Sequence, residues 1–153
     1  ARISHLLLVG LPFQDLAVIN TAQRLKFSPT FLSPRNAEEP ILQRATLRAG
    51  QLVYSYTFDE QSSDPATLAF VSNFKRSYGE QPDAFSAEAF ESVRLITGAA
   101  MRCKRDLECK KRFLRQTTFS SVFGPINFDI NGDTSYPLFL KTISEGRFVR
   151  LKR

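Results

Sequence analysis

The segment from Tyr78 to Ile96 constrains the fold most, because it requires one helix to end and another to begin. Gly79 supplies the permissive backbone that follows many helix C-termini, and Pro82 disfavours helical backbone at the residue before it. Asp83 is suited to cap the helix that follows. The apolar residues of this second helix recur at helical spacing and predict a buried stripe: Phe85, Ala89, Val93, Ile96 and Ala100.

The start of the chain predicts a strand, a helix and a second strand. Residues 5–9 form a continuous apolar run bounded by Gly10, which is typical of a parallel strand covered on both faces. A helix ending near Lys26 is predicted from residues at helical spacing: Asp15, Val18, Ile19, Ala22 and Leu25. Thr30–Leu32 then forms a short strand that stops at residues 33–34. This is a βαβ unit, and ligands in open α/β sheets bind outside the carboxyl ends of the strands.

Strand and helix signals continue to alternate along the chain, which predicts an α/β fold. The further predicted elements are a short helix over Glu39–Leu47 capped by Asn36, a strand at Leu52–Phe58, a helix beginning at Asp64 and Pro65 with Leu68, Val71, Phe74 and Tyr78 on one face, a helix over Asp106–Gln116, strands at Phe119–Phe123 and Ile126–Phe128, and a final hairpin of Leu138–Ser144 with Phe148–Leu151. Residues 129–133 are predicted to form a turn, because they contain Asn-Gly.

The net charge of +6 and one dense run of bases raise the question of an anionic partner. The run extends from Arg102 to Arg115, where two acids interrupt the bases and apolar residues keep helical spacing. A solvated helix face is favoured over a nucleic-acid or anionic-surface site, so no nucleic-acid partner is expected.

The only two cysteines, Cys103 and Cys109, favour a local disulfide between the end of one helix and the start of the next. Two free, partly buried thiols are the alternative. With His5 as the single histidine, the sequence lacks a structural zinc set, and residues 129–133 lack the distant glutamate of a calcium loop. We therefore predict no metal and no cofactor.

The sequence gives little support to an enzymatic function. It contains no Gly-x-Ser-x-Gly, no phosphate-binding glycine loop and no clustered carboxylates. Because no nucleophile and base can be paired, we do not expect an enzyme.

Several short motifs occur in an order that resembles the C-terminal half of type I periplasmic solute-binding proteins, such as the branched-chain amino-acid receptors of ABC transporters. The motifs are Gly10-Leu11-Pro12, Phe31-Leu32-Ser33-Pro34, Tyr54–Phe58 with Asp64-Pro65, Tyr78-Gly79 with Pro82-Asp83, and Gly124–Asp133. Their order and spacing together carry the resemblance, which covers almost the whole chain.

The resemblance implies two α/β lobes, with parallel sheets flanked by helices and a ligand cleft between the lobes. By that pattern residues 1–53 belong to the second lobe, 54–63 are a hinge crossing, 64–133 belong to the first lobe, and 134–153 are the return crossing and terminal strands of the second lobe. The N-terminal half of the family's fold is absent from this sequence, so we expect a fragment, a processed product or part of a larger assembly. Large apolar faces are then expected to be exposed unless that half or a second polypeptide covers them.

The resemblance also implies a function. It indicates a periplasmic or otherwise extracytoplasmic protein that captures a small-molecule ligand by lobe closure, without covalent chemistry, and delivers it to the membrane permease of an ABC transporter. A sensory or regulatory domain of the same fold, with a degenerate ligand site or none, is the alternative. Export, as the family implies, also favours the disulfide over free thiols.

Ligand contacts are expected, by resemblance, from the loop after each strand of the βαβ unit and from the first turn of the helix at Phe85. These positions are Leu11, Pro12, Arg35, Phe85, Ser86 and Glu88. In the amino-acid receptors the two loops supply an aromatic and an acidic residue, whereas this sequence has Leu11 and Arg35. A guanidinium cannot accept a hydrogen bond from an ammonium but offers a planar fork to a carboxylate. We therefore expect a carboxylate or other anion rather than a free α-amino acid. The alternatives are that Arg35 is a surface residue and that Phe85 is core.

Overall fold

A computed structural model describes residues 3–34, 38–39, 41–45, 47–134 and 136–151. In chain order the elements are β1 (His5–Leu7), α1 (Pro12–Arg24), β2 (Thr30–Ser33), a 3-10 helix (Leu42–Arg44), β3 (Leu52–Tyr56), α2 (Pro65–Tyr78), α3 (Ala84–Cys103), α4 (Leu107–Gln116), β4 (Phe119–Ser121), β5 (Gly124–Ile126), β6 (Phe139–Ser144) and β7 (Arg147–Arg150). The chain divides into two units. The first runs to Tyr56 and resumes at Leu138, and the second spans Thr57–Pro137.

The first unit is built on a five-stranded sheet with the order β1-β2-β3-β6-β7. β1, β2 and β3 are parallel, and β6 and β7 continue the sheet as antiparallel strands. Leu52, Tyr54 and Tyr56 of the central strand β3 are buried. Glu145 and Gly146 turn β6 into β7 with positive φ angles, which match the twist of a two-residue hairpin. The predicted α/β fold and final hairpin are confirmed.

β1 is shorter and more exposed than the sequence predicts. It covers His5–Leu7 rather than residues 5–9, and Leu7 is 64% exposed. The reason is that β1 lies at the edge of the described sheet, where β2 is its only partner. Leu8 is buried and donates its backbone N–H to the carbonyl of Leu32 at 2.7 Å. Within the described residues, the prediction of a strand covered on both faces is therefore wrong.

The helix after β1 forms as predicted, with Asp15, Ile19 and Ala22 buried. Leu25 is exposed because α1 ends at Arg24, and Val18 is exposed at the margin of the buried stripe.

Within the described residues of Glu39–Leu47 the helical element is the 3-10 helix Leu42–Arg44, so the predicted helix is wrong in extent. Pro40 disfavours helical backbone at Glu39, and Ala45 has an extended backbone with ψ of 130°. Asn36, its predicted cap, lies outside the described residues.

The helix boundary that constrains the second unit forms as predicted. α2 ends at Gly79, which adopts a left-handed φ of 78°. Asp83 caps α3 by accepting a hydrogen bond from the backbone N–H of Ser86 at 2.7 Å. At the other end of α3, Cys103 forms the predicted disulfide with Cys109 of α4. Both the boundary and the disulfide are therefore confirmed.

The faces that α3 and α2 bury differ from those predicted. Instead of the predicted stripe, α3 buries mostly small residues, one glutamate and one leucine: Ala84, Ala87, Glu91, Leu95, Ala99 and Cys103. On α2, Thr67 and Phe70 are buried, whereas Leu68 and Tyr78 are exposed. The inward faces pack closely on the β4-β5 hairpin and on Phe58, which meets Phe70 and Phe123 edge to face. Leu68 and Tyr78 of α2, and Phe85, Val93 and Ile96 of α3, therefore remain at the surface.

None of the helices in the described part of the chain combines the length and apolarity needed to cross a membrane.

Candidate ligand-binding site

The loop between β1 and α1 is held by its own backbone and by the first turn of the helix. Leu11 donates its backbone N–H to Oε1 of Gln14 at 2.9 Å, and Gln14 donates its own N–H to the carbonyl of Leu11 at 2.8 Å. Pro12 occupies the first turn of α1, where its missing N–H costs nothing. The side chain of Leu11 is exposed. The loop therefore presents an aliphatic side chain on a fixed backbone, and it offers an apolar contact rather than a hydrogen bond.

Behind this loop lies a buried carboxyl group, Asp15. A Cβ atom built on Gly10 would stand 2.8 Å from Oδ1 of Asp15, so only glycine fits at this position without displacing the carboxyl group. Burial raises the pKa of Asp15, and the nearby Ser33 hydroxyl lowers it in part. Although it lies close, the Ser33 hydroxyl does not reach hydrogen-bond geometry with any described group. The carboxyl ends of β1 and β2 therefore enclose a poorly solvated acid and an unsatisfied hydroxyl.

A row of buried polar side chains crosses the sheet from this point. Ser33 of β2 is in register with Tyr54 of β3, and Tyr54 is in register with Lys141 of β6. Paired residues project from the same face of a sheet, so the three side chains share one side. Lys141 is only 2% exposed, and its ammonium lies 4.6 Å from the ring centre of Tyr56.

Glu38, in the segment after β2, completes this row. Its carboxylate forms an ion pair with Lys141 and accepts a hydrogen bond from the Tyr54 hydroxyl at 2.8 Å. Sequence patterns alone did not indicate that Glu38, Tyr54 and Lys141 contact one another. A lysine inside the predicted strand over Leu138–Ser144 was the available signal, because a buried ammonium requires a partner.

Arg35 lies outside the described residues, so the structure neither supports nor opposes its predicted role.

The other predicted contacts lie in the second unit, at the start of α3. Phe85 is 62% exposed, and Ser86 is engaged in the helix cap, since both its backbone N–H and its hydroxyl donate to Oδ1 of Asp83. Glu88 is half-buried and follows the buried Ala87. Phe85 is therefore not a core residue among the described residues. The first turn brings Phe85, Ser86 and Glu88 together in sequence and in space.

An apolar groove with a volume of about 1200 Å³ runs along α2 and α3 in the second unit. It is called the α2–α3 groove below, and its main apolar lining residues are Phe70, Phe74, Tyr78, Phe90, Val93 and Met101. The rings of Phe70 and Phe90 lie 4.9 Å apart, and those of Phe74 and Tyr78 lie 4.5 Å apart. Several of these side chains are exposed, among them Tyr78, Val93 and Met101.

In the part of the chain that the structure describes, no group of three or more His, Cys, Asp or Glu side chains is placed to hold a metal ion.

Comparison with protein families gives one match. A sequence profile of a family described as periplasmic binding protein matches residues 5–146 of this chain. Comparison with curated protein sequences gives no match.

Solved structures share the fold over nearly the whole chain. A leucine-binding protein from Thermotoga maritima superposes with a TM-score of 0.84 at 21% identity, covering 97% of this chain and 44% of that chain. The branched-chain amino acid transporter substrate-binding protein of Streptococcus pneumoniae, solved with isoleucine, gives 0.80 at 21% identity over 97% and 45% of the two chains. An ABC-transporter solute-binding protein from R. palustris, solved with benzoate, gives 0.77 at 15% identity over 97% and 42%. This chain therefore spans less than half the length of these three relatives.

Proposed function

The chain belongs to the periplasmic binding protein family, and on that premise we propose that it is part of an extracytoplasmic receptor that captures a small solute for an ABC uptake system. The observation that carries this proposal is the family match over residues 5–146, on a fold shared with solute-binding proteins of such transporters. The match also confirms the resemblance drawn from the sequence motifs. Family members bind solutes, and the proposed role requires no covalent step.

An extracytoplasmic location is supported by the disulfide between Cys103 and Cys109. Disulfides persist in oxidising compartments and are rare where thiols are kept reduced. The membrane permease of the transporter would then be the partner that receives the solute.

We further propose that the α2–α3 groove is covered by polypeptide beyond this sequence, either the remainder of the family fold or a second chain. Two facts support this. The groove exposes aromatic and aliphatic side chains along two helices, and the solved relatives are more than twice as long as this chain.

For the ligand we propose a carboxylate or another anion rather than a free α-amino acid. The sequence has Arg35 directly after Pro34, where β2 has just ended. Glu38 is ion-paired with Lys141 and bonded to Tyr54, so its carboxylate is already engaged and is a weak candidate for holding a ligand ammonium. The relative from R. palustris was solved with benzoate, a carboxylate that has no ammonium group.

The proposed ligand contacts in the first unit are Leu11, Pro12 and Arg35. Leu11 would supply an apolar surface, and Arg35 would supply a bidentate pair of donors. In the second unit we propose the first turn of α3. Phe85 there has an exposed ring, and Ser86 and Glu88 follow it in the same part of the helix.

Calorimetric titration of the full-length receptor with leucine, benzoate and an aliphatic carboxylate tests the proposal. We expect a carboxylate to bind and leucine to bind weakly or not at all. Arg35→Ala should weaken carboxylate binding by about tenfold to a hundredfold, the loss expected for one charge-assisted bidentate pair. Arg44→Ala, an exposed arginine in the same unit, is the matched control and should leave the affinity unchanged. Tight leucine binding that persists in Arg35→Ala would contradict the proposed ligand class. Failure of every solute to bind would contradict the receptor function itself.

A further inference from the structure

Most of the net positive charge of the chain is concentrated in residues 102–115. This segment carries seven bases and two acids, whereas the chain as a whole has 21 bases and 15 acids. Fourteen bases and thirteen acids therefore remain elsewhere, and they nearly cancel. The segment covers the end of α3 and almost all of α4, so most of the net positive charge lies in one short stretch of the chain.

The two acids in this segment are both engaged by the segment itself. Asp106 caps α4 by accepting a hydrogen bond from the backbone N–H of Cys109 at 2.9 Å. Glu108 pairs with Lys111 at 2.8 Å. Lys110, Arg112 and Arg115 pair with no carboxylate in the described part of the chain, so their charges remain uncompensated.

α4 presents Lys111, Arg112 and Arg115 at its exposed surface on a fixed support, whereas Lys110 is half-buried. None of its residues is buried, and the disulfide at Cys109 ties the helix to the end of α3. Lys111, Arg112 and Arg115 line a shallow surface cavity of about 480 Å³ together with Glu108 and with Asp129 and Ile130 of the turn after β5. In that turn Ile130 is 77% exposed.

A second exposed aliphatic residue stands among the bases. Leu107 is 61% exposed and lies three and four residues before Lys110 and Lys111, so the three share one side of α4. We define the basic face as Leu107, Lys110, Lys111, Arg112, Arg115 and Ile130.

A bilayer surface accommodates this combination of side chains. Long basic side chains reach phosphate oxygens while their aliphatic stems, with Leu107 and Ile130, rest at the headgroup boundary. Anionic lipids attract clustered bases without requiring acceptors at fixed positions. Two isolated aliphatic residues, by contrast, provide too little apolar surface for the core of a protein interface.

We propose that the basic face binds the surface of an anionic phospholipid bilayer. The inference does not depend on which solute the receptor binds, and it adds a second, peripheral attachment to a protein otherwise proposed to meet the membrane only through its permease. Positioning of this kind shortens the search of a receptor for its transporter, because the search then takes place close to the bilayer.

Sedimentation with lipid vesicles tests the proposal on the full-length protein. Vesicles of phosphatidylcholine that contain phosphatidylglycerol should carry the protein down at low salt, and vesicles of phosphatidylcholine alone should not. Binding should fall as salt is raised, because surface charges are screened. Each base replaced among Lys110, Lys111, Arg112 and Arg115 by glutamine should weaken partitioning by about fivefold.

The matched control removes the same charge elsewhere, through Arg44→Gln, Arg48→Gln, Lys75→Gln and Arg147→Gln at four exposed positions. This variant should keep most of the vesicle binding. A second control replaces each lysine at the four positions of the basic face by arginine and each arginine by lysine. It keeps the charge and should keep the vesicle binding, so a loss in the glutamine variants is then due to charge and not to misfolding. Leu107→Ser should weaken the part of the binding that survives high salt.

Three results would overturn the proposal: no vesicle binding by the unaltered protein, equal loss in the basic-face and control variants, or capture by an acidic polypeptide or DNA without any binding to vesicles.

Discussion

The carboxylate of Glu91 on α3 accepts a hydrogen bond from the backbone N–H of Val122 at 2.9 Å, and thereby joins the helix to the β4-β5 hairpin. Glu91 is buried, and its other oxygen pairs with Arg94 at 2.6 Å. From the α2 side, Thr67 donates its hydroxyl to the carbonyl of Val122 at 3.0 Å. Both backbone groups of Val122 are therefore satisfied by helix side chains.

We expect Glu91→Ala to lower the free energy of unfolding by about 3 kcal/mol, because it leaves the Val122 N–H without an acceptor and opens a small cavity. Glu91→Gln keeps an acceptor and loses only the pair with the half-exposed Arg94, so it should cost about 1 kcal/mol. Urea unfolding measures both values. Glu80→Ala, in the exposed loop before α3, is the control, with an expected change within about 0.5 kcal/mol. Equal effects of the alanine and glutamine variants would contradict the role given to the Val122 hydrogen bond.

The buried face of α3 shows where the sequence stops being informative. Periodicity selects the side of a helix that is richest in large apolar residues, and on α3 that side carries Phe85, Val93 and Ile96. The side that packs within this unit has alanines and Glu91, because the helix approaches its neighbours closely and the glutamate has a backbone donor to meet. A hydrogen bond to the backbone of another element cannot be predicted from the spacing of apolar residues along the helix. Helix ends, by contrast, are local chemistry, so Gly79 and Asp83 were predictable.

The same limit applies to the candidate site. The loop at Leu11 and Pro12 was predictable because strand, glycine and proline follow one another along the chain. The row formed by Ser33, Tyr54 and Lys141 was not, because it depends on the register between three strands and on an antiparallel return from β6. Sequence separation hides such a row even though each member is polar and buried.

The disulfide should contribute stability by restricting the unfolded chain. Cys103 and Cys109 are six residues apart, and closing so short a loop contributes roughly 2 kcal/mol in the chain-entropy estimate. We expect reduction with dithiothreitol, or the double change Cys103→Ser and Cys109→Ser, to lower the free energy of unfolding by that amount. Urea unfolding of oxidised and reduced protein measures it. Identical midpoints under both conditions would contradict the prediction, and free-thiol titration of the oxidised protein is the control that the bond is present.

Lys141 and Glu38 should behave as a coupled pair. Lys141→Met leaves a largely buried carboxylate without its cation, and Glu38→Gln leaves a buried ammonium without its anion, so each should cost about 3–5 kcal/mol. The double variant should cost clearly less than the sum, because neither charge is then left alone in the interior. A double-mutant cycle in urea measures the coupling. Strict additivity of the two effects would show that the ion pair does not stabilise this part of the sheet.

Val93 should respond differently to substitution in this chain and in a longer form of the protein. It is exposed here and lines the α2–α3 groove, so Val93→Ser should change the free energy of unfolding by no more than about 0.5 kcal/mol. In a longer protein that covers the groove, the same change removes buried apolar area and should cost about 2 kcal/mol. Thermal unfolding of both forms makes the comparison. Equal small effects in both would contradict the proposal that further polypeptide covers the groove.

Asp15 should make stability depend on pH in a direction opposite to that of most carboxylates. Its pKa in the folded protein is raised by burial above the ordinary value of 3.8, so folding binds the proton more tightly than the unfolded chain does. The stability that this tighter proton binding contributes is fully present when the pH is below the ordinary pKa of 3.8. It is lost as the pH rises through the raised pKa of the folded state. Asp15→Asn is neutral throughout and escapes this loss. The variant should therefore match the parent near the acid end and exceed it in free energy of unfolding at neutral pH. Glu145→Gln, at the exposed turn between β6 and β7, controls for the removal of one negative charge. Unfolding in urea across this pH range measures the difference between Asp15→Asn and the parent, and a difference that stays constant with pH would show that the buried carboxyl group does not govern it.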